Sequence, residues 1–203
     1  MKRNQTRRLT LAAMMGAVSF VLMYFSFSVP VLSPFASFDL SALPDLIGGF
    51  VLGPVGAVEI IAVKVLLKLV FKGTSSMFTG EIQKFLLCTA YALPAVLYYQ
   101  KHRTKRGAAV GLLLGSVAGV IVAILTNVFL IFPAYMALYG MDWAAIVQMC
   151  TAVNPWITNV PTMVAFSIVP FNVISFGVTS ILAMLLFMLN RMFSSMAHTP
   201  PWR

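Results

Sequence analysis

The side chains able to do chemistry are few in this chain of 203 residues, and their identities narrow what it can do. Asp39, Asp45, Glu59, Glu81 and Asp142 are all of its acids. Asn127 and Asn172 stand in long apolar runs, where a carboxamide is costly and is kept to face a cavity or a partner. An amide offers a donor and an acceptor together, and a carboxylate accepts from hydroxyls. Such a set suits reversible capture of a polar small molecule. The signatures of an enzyme are missing: there is no Gly-x-x-x-x-Gly-Lys-[Ser/Thr] phosphate loop and no His-Glu-x-x-His helix. Acid–base catalysis would have to use Glu81 with Lys84 or Lys68. Cys88 and Cys150 show no ligand or redox spacing and read as apolar packing residues. No catalytic residue and no metal site is expected.

The elements that must hold these groups are membrane helices. Apolar residues make up 60% of the chain and charged residues 9%, against nearer a quarter charged in a soluble domain. The net charge of +9 does not indicate nucleic acid, because the basic residues flank apolar spans and form no stripe with interleaved aromatics. Residues 9–29, 80–99, 107–132 and 168–189 are each long enough to cross about 30 Å of hydrocarbon. A weaker pair, 41–52 and 55–71, is separated by Gly53-Pro54, where a helix must stop. The expected fold is an all-α, six-helix membrane bundle forming one domain. Residues 1–8 are a basic segment, 9–193 the bundle, and 194–203 a tail that includes His198-Thr199-Pro200-Pro201. The uncharged run 9–29 has no small-x-small cleavage site after it and reads as a retained helix.

Charge placement orients the bundle. Lys2, Arg3, Arg7 and Arg8 precede the first span, and Lys101, Arg103, Lys105 and Arg106 fill the gap between the fourth and fifth. Short loops rich in Lys and Arg stay in the cytoplasm of a bacterial inner membrane, so both termini are expected there. Segments near 30–42, 72–79 and 133–166 then lie outside. Asp39, Glu81 and Asp142 fall at or near the outer surface, and Asn127 and Asn172 in the outer half, so they converge on one layer. Within 133–166, residues 142–149 are expected to form a short interfacial helix, with turns at Asn154-Pro155-Trp156 and Asn159-Val160-Pro161.

Two small-residue series mark close helix approaches. Gly107, Gly111, Gly115, Gly119 and Ala123 recur every fourth residue and are expected to pack within the molecule. Ala12, Ala13, Gly16 and Ala17 lie on adjacent faces of the first helix, where intramolecular and intermolecular contact are both open. Lys64 is expected to pair internally, with Glu59 its candidate partner, and Lys68 and Lys72 to snorkel outward.

At Phe38-Asp39-Leu40-Ser41-Ala42-Leu43-Pro44, followed by Ile47-Gly48-Gly49-Phe50 and Gly53-Pro54, the chain resembles the riboflavin-binding S components of energy-coupling factor (ECF) transporters. Lys68-Leu69-Val70-Phe71-Lys72-Gly73-Thr74, Thr79-Gly80-Glu81-Ile82, Asn127 with Pro133 and Tyr135, and Val169-Pro170-Phe171-Asn172 extend the likeness in family order. The resemblance implies a riboflavin pocket near the extracellular face, with riboflavin as cargo and no resident cofactor. It implies contacts from Leu40, Ser41, Ala42, Gly80, Glu81, Asn127 and Asn172. It also implies that Ala12, Ala13, Gly16 and Ala17 dock onto a membrane coupling subunit that carries two cytoplasmic ATPases, which would answer the missing phosphate loop. Family members often carry Lys three residues after the last asparagine. This chain has Ser175, a shorter and uncharged side chain, as its candidate contact there, which leaves the exact flavin open and an S component for another flavin or a different vitamin as the alternative.

Overall fold

The first helix, α1, spans Lys2–Tyr24. In the computed structural model, which describes residues 2–28, 37–74 and 77–197, its buried positions are Ala12, Gly16, Ser19 and Met23. That spacing of three and four is one helical face, and it lies against the second helix. A Cβ on Gly16 would come within 2.6 Å of Val63 Cγ1 and 3.2 Å of the Ile60 carbonyl. Ala13 and Ala17 are exposed on the other side. After α1, strand β1 (Phe27–Ser28) pairs antiparallel with β2 (Ser37–Phe38), Phe27 opposite Phe38. The segment between the two strands lies outside the described residues, as do Val29 at the end of the expected first span and the tail from His198 onward.

Helix α2 covers Ala42–Lys72 but is interrupted at Gly53, whose φ of 86° and ψ of −178° admit no ordinary side chain. Pro54 follows, a residue suited to starting a helix because it has no N–H to offer the preceding turn. The expected break is therefore present, and its two legs fold back on each other. A Cβ on Gly49 would sit 3.0 Å from that of Ala57, and one on Gly48 would strike the Ile60 side chain.

Helix α3 (Thr79–Lys101) packs along α4 (Lys105–Thr126), which Thr104 caps by accepting from the Gly107 N–H. The glycine series is the seam between them. Added Cβ atoms on Gly111 and Gly115 would lie 2.6 Å and 2.2 Å from the Ala95 and Tyr91 carbonyls, while Gly119 faces the Phe176 ring. The series packs within the molecule, as expected.

From there the chain departs from expectation. A π-helical turn at Asn127–Ile131 carries α4 into α5 (Phe132–Tyr139), and after α6 (Trp143–Thr151) a second, Val164–Ile168, joins α7 (Val160–Met163) to α8 (Val169–Ala197). Each π turn ends just before a proline, Pro133 or Pro170, which withholds the N–H that an α-helix needs. Widening the turn there keeps each helix continuous. The fifth helix thus runs past 132 and the last begins before 168, so much of 133–166 is helical. The expected short helix is α6, capped by the Asp142 carboxylate at the Ala145 N–H. Asn159 forms a reciprocal capping box with Thr162.

Two clusters of buried side chains hold the bundle. One centres on Leu46, Ile61, Tyr91, Ala95, Leu112 and Phe176, and the other on Ile131, Phe132, Ile146, Cys150, Ile157 and Met163. Outside them, Leu113, Val117, Ile121, Leu125 and Phe129 form an exposed ridge along α4 and its π turn, a surface suited to lipid and not to water. Among the described residues, four helical stretches are long and apolar enough to cross a membrane: Gln5–Tyr24, Ala42–Lys72, Lys105–Tyr139 and Val160–Met188. The 23-residue α3 is long enough but less apolar, since Glu81, Gln83 and Lys84 crowd its first turns.

Candidate functional site

A cavity of about 350 Å³ opens between the helices on the side of the β1–β2 hairpin, within the ~300–1,000 Å³ usual for small-molecule sites. One wall comes from α1, α2 and α3: Phe20, Met23 and Tyr24, then Lys68 and Lys72, then Gly80, Gln83, Lys84 and Leu87. The rest of the lining comes from the two π turns and their continuations: Asn127, Ile131, Phe132 and Tyr135 from one, and Ser167, Ile168, Phe171 and Asn172 from the other. Ser26, Ser37 and Asp39 of the hairpin region complete it.

Both asparagines are oriented by their own helices. Asn127 Nδ2 donates to the Ala123 carbonyl at 2.8 Å, and Asn172 Nδ2 to the Ile168 carbonyl at 2.8 Å. A carbonyl can only accept, so the amide nitrogen is fixed toward the helix, and each Oδ1 with the second N–H remains for a ligand. The lining from α2 and α3 is basic, with Lys68, Lys72 and Lys84. Lys84 Nζ donates to Asp39 Oδ2 at 2.7 Å, while Asp39 Oδ1 accepts the Ser41 N–H at 2.9 Å. Burial pushes the Asp39 carboxyl up, but the Lys84 charge and the hydrogen bonds from Lys84 and Ser41 outweigh it and hold the group below its ordinary value.

Residues 7–187 match the family described as "ECF transporter, substrate-specific component". The chain belongs to that family. It is 30% identical over 184 residues to the riboflavin transporter RibU of Staphylococcus aureus (strain TCH60), covering 91% of this chain and 90% of that one. It is also 30% identical over 132 residues to the riboflavin transporter FmnP of Bacillus subtilis (strain 168), 64% of this chain and 70% of that one. A solved structure described as the S component of a bacterial ECF transporter superposes with a TM-score of 0.72 at 29% identity, over 96% of this chain and 99% of that one. The protein is thus an all-α, multi-pass membrane S component, and its relatives are transport components, not enzymes.

Of the expected contact residues, this S component brings Gly80, Asn127 and Asn172 together at the cavity. Glu81 lies behind the wall, 3% exposed, with Oε1 accepting from Lys68 Nζ at 2.8 Å and Oε2 from the Thr74 hydroxyl at 3.0 Å. Leu40, Ser41 and Ala42 back the Asp39 position and do not line the space. Ser175 is half-buried, one turn beyond Asn172 and outside the lining. The roles expected for the lysines change. Lys68 pairs with Glu81 and faces the cavity, Lys64 pairs with Asp45, and Glu59 pairs instead with Arg8 at 3.3 Å. Sequence spacing alone offered Glu59 to Lys64, five residues away, whereas the turn at Gly53 presents Asp45.

Lys64 and Asp45 are wholly buried and do not line the cavity. The Ser19 hydroxyl donates to Asp45 Oδ1 at 2.7 Å, and the Lys64 ammonium also reaches Ser41 Oγ and Cys88 Sγ at 3.4 Å each. Three helices are tied together there. Neither this group nor Phe20, Tyr24, Gln83 and Ser167 of the lining was anticipated. Only the spacing of Lys84, three residues after Glu81 and so one turn along the same helix, carried a signal.

Proposed function

We propose that this S component captures riboflavin from outside a bacterial plasma membrane and delivers it inward when an ATP-driven coupling module reorients it. The observation that carries the reading is the pair of pre-oriented asparagines in a cavity also lined by lysines, in a chain whose relatives are named riboflavin transporters. Their free amide edges match the alternating carbonyls and imide N–H of an isoalloxazine. The break at Gly53 supports six crossings, with both termini cytoplasmic by the placement of Lys and Arg. The cavity then opens outward. A nanomolar site needs about 12 kcal/mol, and neutral hydrogen bonds supply only about 1 kcal/mol net each. Phe20, Phe132, Tyr135 and Phe171 in the walls provide the apolar contact that makes up the difference.

The coupling partners are a membrane subunit and two cytoplasmic ATPases, and Ala13 and Ala17 are the exposed part of the small-residue face that would meet them. Riboflavin is cargo, and no resident cofactor is invoked. Ser175 in place of the family's lysine keeps a related flavin as the second reading. The absorbance spectrum of the purified protein tests the proposal directly. Copurifying flavin, or quenching of added riboflavin fluorescence, is expected, and a colourless protein that fails to quench would sink the reading.

A further inference from the structure

A groove of about 540 Å³ runs between α4 and α8 on the outside of the bundle. Leu113, Val117 and Ile121 form one rim and Val173 and Ile181 the other, all of them exposed. The helices are antiparallel here, with Ser116 beside Ser180 and Gly119 beside Phe176, so the groove extends from Ala109 and Met184 to Ile121 and Val173. Its floor is open at Gly177, where an added Cβ would meet nothing. The polar side chains of its lining, Ser116 and Ser180, are already engaged: Ser116 Oγ donates to the Leu112 carbonyl at 2.9 Å, and Ser180 Oγ lies 2.7 Å from the Tyr91 hydroxyl. The occupant that suits such a lining is apolar. From Ala109 to Ile121 the groove is about 18 Å long at about 1.5 Å per residue, close to the roughly 15 Å that one leaflet contributes to the hydrocarbon core of a bilayer.

One end of the groove is charged. Ala109 lies four residues after Lys105 and three after Arg106, which puts both on the groove's side of α4. Helical side chains lean toward the N-terminus, so these two reach past the apolar end. Lys101 and Arg103 precede them, and all four are exposed. Among the described residues no acid neutralises them, because each of the five acids is engaged elsewhere: Asp39 by Lys84, Asp45 by Lys64, Glu59 by Arg8, Glu81 by Lys68, and Asp142 at the cap of α6. We infer that the groove holds an acyl chain of one anionic phospholipid, with Lys105 and Arg106 on its phosphate. A zwitterionic lipid would cover the apolar surface but leave the cations without net counter-charge, and a soluble anion would leave the groove empty. The inference rests on the membrane placement of the helices and is independent of the flavin reading.

The test uses the purified, delipidated full chain in detergent, titrated with phosphatidylglycerol or with phosphatidylcholine of the same acyl chains. Native mass spectrometry counts one-lipid adducts, and the thermal unfolding midpoint reports the stabilisation they give. Phosphatidylglycerol is expected to bind about 10- to 30-fold more tightly, the worth of two basic residues at a membrane surface. Lys105→Gln with Arg106→Gln should erase that preference and leave phosphatidylcholine as it was. Gly177→Leu, which fills the floor, should weaken both lipids. Leu113→Trp, on the exposed rim, gives a second reading should Gly177→Leu disturb the fold: phosphatidylglycerol brominated along its acyl chain should quench the added tryptophan more than the brominated phosphatidylcholine does. Equal affinity for the two lipids, or a preference that survives the double glutamine change, overturns the headgroup assignment. Undiminished phosphatidylglycerol binding by a folded Gly177→Leu protein, or quenching at Leu113→Trp that is the same for both lipids, removes the acyl chain from the groove. A dimer of the wild-type chain that Gly177→Leu dissociates would put a second copy there and overturn the lipid as occupant.

Discussion

Lys64 and Asp45 show how much one pairing can decide. Both side chains are fully buried, and removing one partner of such a pair leaves an uncompensated charge that costs about 3–5 kcal/mol. Lys64→Met should therefore lower the thermal unfolding midpoint in detergent sharply. Adding Asp45→Leu should recover most of the loss, because Ser19 can still donate to the Ser41 carbonyl. A double variant as unstable as the single one would mean that Asp45 is held by something other than Lys64. At Ser175 the expectation runs the other way. It follows Asn172 by three residues on one helix face, and helical side chains lean toward the N-terminus, so a lysine there would reach back to the cavity. Ser175→Lys should tighten riboflavin binding, and an unchanged quenching titration would show that the cavity has been completed by other groups.

The elements owe their positions to a few glycines and prolines. Gly115 lets α4 approach the Tyr91 carbonyl more closely than any side chain would allow, and both helices run on to the cavity. Gly115→Leu should force α3 and α4 apart, lowering both the unfolding midpoint and flavin affinity. Gly177 in α8 has nothing near its missing Cβ. Gly177→Ala is therefore expected to stabilise the helix by about 0.5–1 kcal/mol and leave binding alone, a contrast that thermal scans of the two proteins will check. The break at Gly53-Pro54 was legible because those two residue types have a local meaning in any chain. The π turns were not. Their cause is the need to pass a proline without ending a helix that tertiary contacts hold on both sides, and nothing local in 127–131 or 164–168 announces it.

At the scale of the whole molecule, the small-residue face of α1 divides in two. Ala12 and Gly16 are buried against α2, while Ala13 and Ala17 face outward. Ala13→Trp with Ala17→Trp should spare flavin binding to the purified protein yet abolish riboflavin uptake by cells that also make the coupling subunits. Gly16→Leu should instead damage the fold, since Val63 fills that space. Uptake that survives the double tryptophan change would move the docking surface elsewhere. The exposed apolar ridge of α4 is one surface on which it would then be sought.

The sequence alone determined the lipid solvent, the helical class and the convergence of Asn127 and Asn172 on one cavity, and it argued an orientation from Lys and Arg. Each of these follows from chain-local quantities: hydropathy, charge at span ends, and depth counted along a helix. Depth is not direction, however. Which way each side chain faces depends on helix rotation and on which helices are neighbours, and only the tertiary structure decided those. Packing placed Glu81 behind Lys68 and not at the cavity, gave Lys64 to Asp45, and turned Ala12 and Gly16 inward. A charge in a low-dielectric bundle takes whichever counter-charge the folded chain presents, and the hairpin at Gly53 presented one 19 residues away in sequence.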